Sequence, residues 1–230
     1  MMTYADKLIG FYKNLQPPEK LSDGVELLYP QNEESVMSVV DIFFKQFYND
    51  NHPRRLIFGI NPGRFGAGTT GINFTAPKQL TECCGINHTF KPQTELSAEF
   101  IYEMIFAYGG AQKFYSHYFI GSISPLGFVK NGVNMNYYDD KNLLKSVEPF
   151  IINSIQTQIS FGFKTDKSFC IGGDKNLKYF LKLNEQYHFF DEIIPLPHPR
   201  FIMQYRRKQK QKFIEIYLQA LMEDQLLVEV

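Results

Sequence analysis

Apolar positions along the chain follow two alternating patterns, one typical of helices and one typical of buried strands. Six segments carry apolar residues at helical spacing, namely residues 4–15, 33–48, 97–108, 141–161, 174–183 and 204–224. Four short apolar runs predict buried strands at residues 55–60, 118–123, 167–171 and 188–195. Ser97 stands at one predicted helix start, where its side chain could cap a free backbone N–H group, and Asp174 stands at the start of another predicted helix.

Strands separated by helices predict a mostly parallel sheet that is covered on both faces. We therefore expect an α/β protein, a three-layer αβα sandwich around a central four-stranded sheet. Residues 1–230 are interpreted as a single domain, with the helical residues 1–53 packed on it. Ligands of such sheets bind beyond the carboxyl ends of the strands. The loops at residues 61–74 and 198–207 are therefore expected to converge.

The first of these loops is rich in glycine, proline and asparagine, and it begins at Gly59 and ends at Phe74. Its glycines allow positive φ angles and a close backbone approach to a ligand. The amide of Asn61 can orient water or contact the edge of a base. The spacing fits neither of the glycine-rich phosphate motifs, GxGxxG and GxxxxGK[ST]. From spacing alone, a structural loop and a ligand-binding loop both remain open.

The second loop begins at His198 and runs into a basic segment with no acidic residue until Glu215. The side chains of Phe201, Met203 and Tyr205 interleave with the basic residues, which are Arg200, Arg206, Arg207, Lys208, Lys210 and Lys212. A solvated helix face is the common explanation of such a run. Phosphate contact by the basic side chains is the other explanation.

Composition limits how the chain can bind a nucleic acid. Its 24 basic and 24 acidic residues give a formal net charge of zero, so any attraction to DNA must come from a local patch. Hydrophobic residues make up 44% and charged residues 21%, which is ordinary globular usage. The 22 phenylalanines would mainly fill a core, and they leave rings available for base stacking.

Three cysteines, Cys83, Cys84 and Cys170, form no CxxC pair, so we expect neither a zinc nor an iron–sulfur site. Cysteines expected to stay reduced are typical of the cytoplasm. Positions 4–15 contain charged residues and therefore do not resemble the apolar core of a signal peptide, so we expect a cytoplasmic protein. No apolar run reaches the length of a membrane span, so no membrane association is expected.

Two motifs in a fixed order carry a family resemblance. The first is Gly59-Ile60-Asn61-Pro62-Gly63, followed by Phe65-Gly66, Thr70-Gly71 and Phe74, and the second is His198-Pro199 after the last predicted strand. Between them lies the strand-to-glycine turn Cys170-Ile171-Gly172-Gly173. This pattern resembles the uracil-DNA glycosylase superfamily, and within it the single-strand-selective monofunctional uracil-DNA glycosylases. The resemblance extends from residue 55 to the end of the predicted terminal helix.

The resemblance implies a uracil-DNA glycosylase-like fold and hydrolysis of the bond between a flipped-out damaged base and its sugar, in base excision repair. It implies that Phe74 stacks on the base, that His198 donates to a base carbonyl and that Asn61 positions water or contacts the base. The other residues implied to bind the base are Gly59, Ile60, Pro62, Gly63, Phe65 and Ser122. Those implied to contact DNA, single- or double-stranded, are Arg64, Arg200, Phe201, Tyr205, Arg206, Arg207 and Lys208. A monomer without a metal or organic cofactor is expected.

Three positions depart from the family pattern. Ser122 stands where an asparagine that reads the uracil edge is expected, and a hydroxyl cannot make the paired contacts of an amide. Arg64 replaces a proline, and the continuation after His198-Pro199-Arg200 is shorter than in the family. The base therefore stays open among uracil, hypoxanthine, xanthine and an oxidised pyrimidine.

Two alternatives to a glycosylase remain open at this point. A catalytically weak or inactive module could bind modified bases or single-stranded DNA, and Ser122 favours that interpretation. A hydrolase of free nucleosides or small glycosides would also suit the neutral net charge.

Overall fold

Two sheets organise the protein, whose computed structural model describes residues 2–222. The larger sheet contains β2 (Arg55–Gly59), β3 (Tyr118–Ser122), β6 (Lys164–Ile171) and β7 (Glu192–Leu196). All its strands are parallel, in the order β3-β2-β6-β7. The smaller sheet is antiparallel, in the order β1-β4-β5, with β1 at Val25–Leu28, β4 at Gly127–Lys130 and β5 at Val133–Met135.

Helices cover both faces of the parallel sheet, as neighbouring residues of β3 show. Side chains of adjacent strand residues point to opposite faces. Phe119 packs against Phe44 at a ring distance of 6.1 Å, and Tyr118 packs against Tyr108 at 5.9 Å. The described helices are α1 (Tyr4–Lys13), α2 (Glu34–Tyr48), α3 (Ala67–Thr70), α4 (Pro77–Cys84), α5 (Leu96–Tyr108), α6 (Ala111–His117), α7 (Lys141–Ser160), α8 (Lys175–Tyr187), α9 (Pro199–Tyr205) and α10 (Lys210–Met222).

The predicted four-stranded parallel sheet between helices is thus confirmed, while several boundaries differ. The predicted fourth strand begins at Glu192 rather than at residue 188. Residues before it form a loop, because the Asn184 amide bonds both the N–H and the carbonyl of Phe190. His188 ends α8 with a positive φ of 50°, which no strand residue adopts.

The predicted cap at Ser97 is wrong, whereas the predicted start at Asp174 is confirmed. The helix expected to begin at Ser97 is capped by Glu95, whose carboxylate accepts from the N–H groups of Ser97 and Ala98. Asp174 precedes α8 as predicted, but its side chain makes no capping hydrogen bond. Its carboxylate instead pairs with Lys178 at 2.9 Å.

The predicted terminal helix at residues 204–224 is also wrong in its start, since the chain becomes helical directly after His198. Pro199 occupies the first turn of α9, a position that suits a residue without an N–H group. A single turn of 3₁₀ helix at Arg207–Gln209 then separates α9 from α10. Residues 223 and 224 lie outside the described part of the chain.

The smaller sheet was not predicted, although the sequence contains a signal for its hairpin. Asn131 and Gly132 connect β4 to β5 with φ values of 50° and 71°. A two-residue hairpin turn with positive φ at both positions favours the Asn-Gly pair. The hairpin matters because its last strand reaches the loop that follows β2.

A buried cation joins the N-terminal helices to the sheet. The guanidinium of Arg54 is fully buried and makes a two-pronged contact with Asp50, with N–O distances of 2.7 and 2.9 Å. It also donates to the carbonyl oxygens of Tyr115, His52 and Phe47. These hydrogen bonds hold the pKa of Asp50 below its ordinary value.

Candidate functional site

The carboxyl ends of the parallel strands bring the two predicted loops together. The backbone ladder between β2 and β3 continues past both strands, with Ile123 N–H donating to the carbonyl of Gly59 at 2.9 Å. On the other side, Gly172 N–H donates to the carbonyl of Leu196 at 2.9 Å. A Cβ at Gly172 would lie 3.4 Å from both His198 and Ile60. Ile60, which precedes Asn61, and His198, which follows β7, therefore both lie against Gly172.

Asn61 is held by the segment that follows the hairpin. Its Nδ2 donates to the carbonyl of Met135 at 3.2 Å and to that of Pro62 at 3.3 Å. Its Oδ1 accepts from the N–H of Tyr137 at 3.1 Å. The hydroxyl of Tyr137 in turn donates to Asn176 at 2.7 Å, at the start of α8. These hydrogen bonds fix the orientation of the Asn61 amide. One lone pair of its Oδ1 can still accept a hydrogen bond.

His198 caps α9, and the cap determines where its proton resides. Nδ1 accepts from the N–H of Arg200 at 3.1 Å, so the neutral ring carries its proton on Nε2. Burial of the imidazole and, to a smaller extent, the positive charge of Arg200 together lower its pKa to about 4. His198 is thus a neutral donor at physiological pH.

Phe74 provides the aromatic face beside this histidine. Its ring lies 6.2 Å from the His198 ring at an interplanar angle of 52°. The ring packs so closely on Gly59 that a Cβ there would be 2.8 Å from Cε2. Phe74 adopts a φ of 52°, which is uncommon for a bulky residue and aims the ring into the site. Asn61, Phe74 and His198 all remain partly exposed.

Ser122 is the last residue of β3 and pairs in register with Gly59. Its hydroxyl donates to Oδ1 of Asn73 at 2.7 Å. The Asn73 amide also donates from Nδ2 to the carbonyl of Ile120 at 3.2 Å. Asn73 was not among the predicted site residues, and its position directly before Phe74 is the sequence signal that would have found it.

The comparisons with known proteins agree with this geometry. The family model described as the uracil DNA glycosylase superfamily matches residues 45–222. This chain belongs to that superfamily. The crystal structure of wild-type SMUG2 from Pedobacter heparinus is similar over the full length of both chains, with 46% sequence identity and a TM-score of 0.94. No curated protein matches the chain.

Membership in the uracil-DNA glycosylase superfamily makes this chain a hydrolase of the DNA glycosylase type, with DNA as its partner. The family resemblance seen in the sequence is confirmed on this point. The family match begins at residue 45, so α1 and most of α2 lie outside it. The similarity to SMUG2 covers that N-terminal part as well.

The predicted DNA-contacting side chains of the glycosylase lie in two segments, Arg64 in the first loop and the others on or after α9. On and after α9, the exposed residues are Arg200, Phe201, Tyr205, Arg206, Arg207 and Lys208. The rings of Phe201 and Tyr205 lie 5.9 Å apart, and the Arg206 guanidinium lies 5.5 Å from the Phe201 ring. Met203 is buried instead. Lys210 forms an ion pair with Glu103, so its charge is compensated within the protein.

The other predicted residues of the first loop differ in exposure. Pro62 is buried, and its carbonyl lies so near Gly127 that a Cβ there would be 2.3 Å away. Gly63 lies beside Asn134 of the hairpin. Phe65, expected to bind the base, is 49% exposed and lies under the Arg64 guanidinium at 5.0 Å. This arrangement groups Phe65 with Arg64 on the surface.

Residues 2–222 contain no cluster of three or more His, Cys, Asp or Glu side chains that could hold a metal ion. Across the same residues, no helix combines the length and the apolar character that a membrane crossing requires.

Proposed function

We propose that this protein is a monofunctional DNA glycosylase that hydrolyses the N-glycosidic bond of a flipped-out deaminated or damaged base, uracil or a related one. The observation that carries the proposal is a neutral imidazole, with its proton fixed on Nε2, beside a partly exposed aromatic ring. We assign its role to base excision repair, in the cytoplasm and as a monomer.

The first step is extrusion of the base from its stack onto Phe74, since the target bond is out of reach inside a duplex. Stacking on an aromatic side chain contributes roughly 1–3 kcal/mol per base. The ring of Phe74 rests on Gly59, which has no side chain to push it away. The base therefore meets a supported aromatic face with the imidazole at its edge.

Bond cleavage moves negative charge onto the departing base and leaves oxocarbenium character on the sugar. The Nε2–H group of His198 donates to the base carbonyl where this charge develops. One such preorganised donor is typically worth about 3–4 kcal/mol. Since the ring is neutral, it stabilises the charge as a hydrogen-bond donor and keeps its Nε2 proton throughout the step.

Asn61 supplies the orientation of the attacking water. Its Nδ2 is engaged with backbone carbonyls and its Oδ1 already accepts one hydrogen bond, so the remaining lone pair can accept from water. An amide cannot remove a proton, so Asn61 positions the water and is no general base. The site should therefore be slower than one with a carboxylate at this position.

DNA contacts come from Arg64 in the first loop and from the exposed residues on and after α9. We assign phosphate contacts to Arg64, Arg200, Arg206, Arg207 and Lys208, and filling of the gap in the base stack to Phe201 or Tyr205. The exposed rings and guanidinium groups on and after α9 support this assignment. Neither loop contains a lysine that could form a Schiff base, so no strand-cleaving step is expected.

The substitution Asn61→Ala tests the proposal. We expect the single-turnover excision rate on a uracil-containing single strand to fall about a hundredfold, because the water loses its orientation. Binding of the same oligonucleotide, measured by fluorescence anisotropy, should change little. Excision is measured as strand breakage after hot alkali, on a panel of single-lesion oligonucleotides in single- and double-stranded form.

The matched control is Asn153→Ala, which removes an exposed amide from α7 and should leave both readouts unchanged. If the wild-type protein binds these oligonucleotides and leaves every lesion intact, the enzyme proposal fails and a binding module is the better description.

The pKa of His198 predicts the pH dependence of the reaction. Because the folded-state pKa of about 4 lies below the ordinary value of 6.5, the neutral donor persists well below neutral pH. The excision rate should therefore be flat from about pH 5 to pH 8, without an inflection near the ordinary value. It should fall as the pH drops through 4, where protonation of Nδ1 displaces the Arg200 N–H. Single-turnover rates across this range provide the measurement.

The variant Arg200→Ala checks the cause of this low pKa. Removing the neighbouring positive charge should raise the His198 pKa, and the acid limb of the pH–rate profile should move up with it. An acid limb near pH 6.5 in the wild-type protein would contradict the prediction.

A further inference from the structure

The hydroxyl of Ser122 has a fixed hydrogen-bonding direction. It lies 2.7 Å from Oδ1 of Asn73, and that amide cannot be turned around. Its Nδ2 faces the backbone carbonyl of Ile120 at 3.2 Å, and a carbonyl oxygen only accepts. The oxygen of the amide must therefore face Ser122. The serine proton points at Asn73, and only lone pairs of Oγ remain for another partner.

The nitrogen of the Asn73 amide, which points away from Ser122, has a second partner. This Nδ2 atom lies 3.4 Å from the hydroxyl of Tyr12, which is buried on α1. The orientation of the amide thus depends on groups outside the base-binding site.

Ser122 lies next to the place where the proposed base would stack. It pairs with Gly59, and Gly59 supports the ring of Phe74. Asn73 directly precedes Phe74, so one turn supplies both the stacking face and the amide that orients the hydroxyl. We infer that Asn73 fixes Ser122 as a hydrogen-bond acceptor that selects bases with a ring N–H at their Watson–Crick edge. This inference rests on the proposed base-binding site.

The hydrogen-bonding groups of the bases determine which bases such an acceptor can distinguish. Uracil, hypoxanthine and xanthine carry a ring N–H at that edge, whereas cytosine and adenine present an unprotonated ring nitrogen. An acceptor facing an acceptor leaves both groups without a hydrogen bond, which lowers affinity by about tenfold or more. The Ser122 acceptor therefore distinguishes deaminated bases from the amino-bearing bases from which they form, but it does not distinguish uracil from thymine. Asn73 is accordingly a positioning residue.

The test measures affinity with bases that cannot be cleaved. One single-stranded oligonucleotide carries 2′-fluoroarabino-uridine at its centre, and its twin carries 2′-fluoroarabino-cytidine. The wild-type protein should bind the uracil strand about tenfold or more tightly than the cytosine strand. In Asn73→Leu the hydroxyl is free to rotate and to donate to cytosine, so the cytosine strand should gain affinity and the ratio should approach one.

The double variant Asn73→Leu, Ser122→Ala provides the decisive control. A gain in cytosine affinity that depends on the hydroxyl must disappear when the hydroxyl is removed. A merely structural effect of Asn73 would lower both affinities and would not require Ser122. If Asn73→Leu does not fold, the pair Ser122→Ala and Ser122→Thr decides, with the preference lost in the first and kept in the second.

A wild-type ratio near one, a folded Asn73→Leu with an unchanged ratio, or a cytosine gain that survives in the double variant would each overturn the inference. Cleavage of an ordinary uracil strand is assayed in parallel. Cleavage together with an unchanged Asn73→Leu ratio leaves the glycosylase proposal intact and removes the inference. The expected ratios without any cleavage would remove the enzyme proposal and leave the inference intact.

Discussion

Replacement of His198 by alanine should lower the single-turnover excision rate by about 10²–10³-fold. The variant loses the Nε2–H donor at the position where the departing base gains negative charge. Because the loss occurs in the transition state, the affinity for a 2′-fluoroarabino-uridine strand should change far less than the rate. Rapid-quench kinetics and anisotropy on the same oligonucleotide measure the two effects separately.

His198 also caps α9, so the catalytic effect must be separated from a structural one. Serine is a good N-cap residue and keeps an oxygen for the Arg200 N–H, but it is too short to replace the imidazole donor. His198→Ser should therefore be as slow as His198→Ala while retaining the first turn of α9. The exposed histidine at the end of α6 provides a control, His117→Ala, with an expected wild-type rate. A His198→Ser rate close to wild type would contradict the assigned role.

Replacement of Arg54 by alanine should have the largest effect on stability, about 3–5 kcal/mol in the free energy of unfolding. Arg54 is fully buried, and its loss leaves the carbonyls of Tyr115 and Phe47 without their donor. It also removes a cation that lies 5.1 Å from the ring of Tyr48. Urea denaturation followed by far-UV circular dichroism measures the change in midpoint.

A surface ion pair with the same separation of four residues in the chain serves as the comparison. Lys45 and Asp41 lie 2.9 Å apart on α2, and both side chains are substantially exposed. Exposed pairs of this kind contribute about 0–1 kcal/mol, so Lys45→Ala should hardly move the unfolding midpoint. Equal effects of the two substitutions would show that the burial of Arg54 is not what makes its contacts stabilising.

The succession of elements in the parallel sheet was predictable from the sequence. The strands β2 and β3 are almost wholly buried and read as apolar runs, as residues 55–60 do, whereas β6 is buried only in its second half and β7 is partly exposed. The small sheet was missed because its strands are short and partly exposed, and their apolar pattern is weak. The Asn131-Gly132 turn was the one local signal that could have revealed the hairpin.

The chain order of strands and loops, and the family motifs within them, determined which residues form the site. Parallel strands have their carboxyl ends at one edge of the sheet, so Asn61 and His198 had to approach each other. The family resemblance of the first motif also identified Phe74 within the first loop. These results depend on local pattern and topology, which the sequence contains.

Only the tertiary structure decided the state of each functional group. The orientation of Asn61 depends on Met135 and Tyr137, more than seventy residues away in the chain. The direction of the Ser122 hydroxyl depends on Asn73, and the low pKa of His198 depends on its burial and on Arg200. Hydrogen-bond directions and desolvation arise from groups that folding brings together, and residue spacing alone carries no information about them.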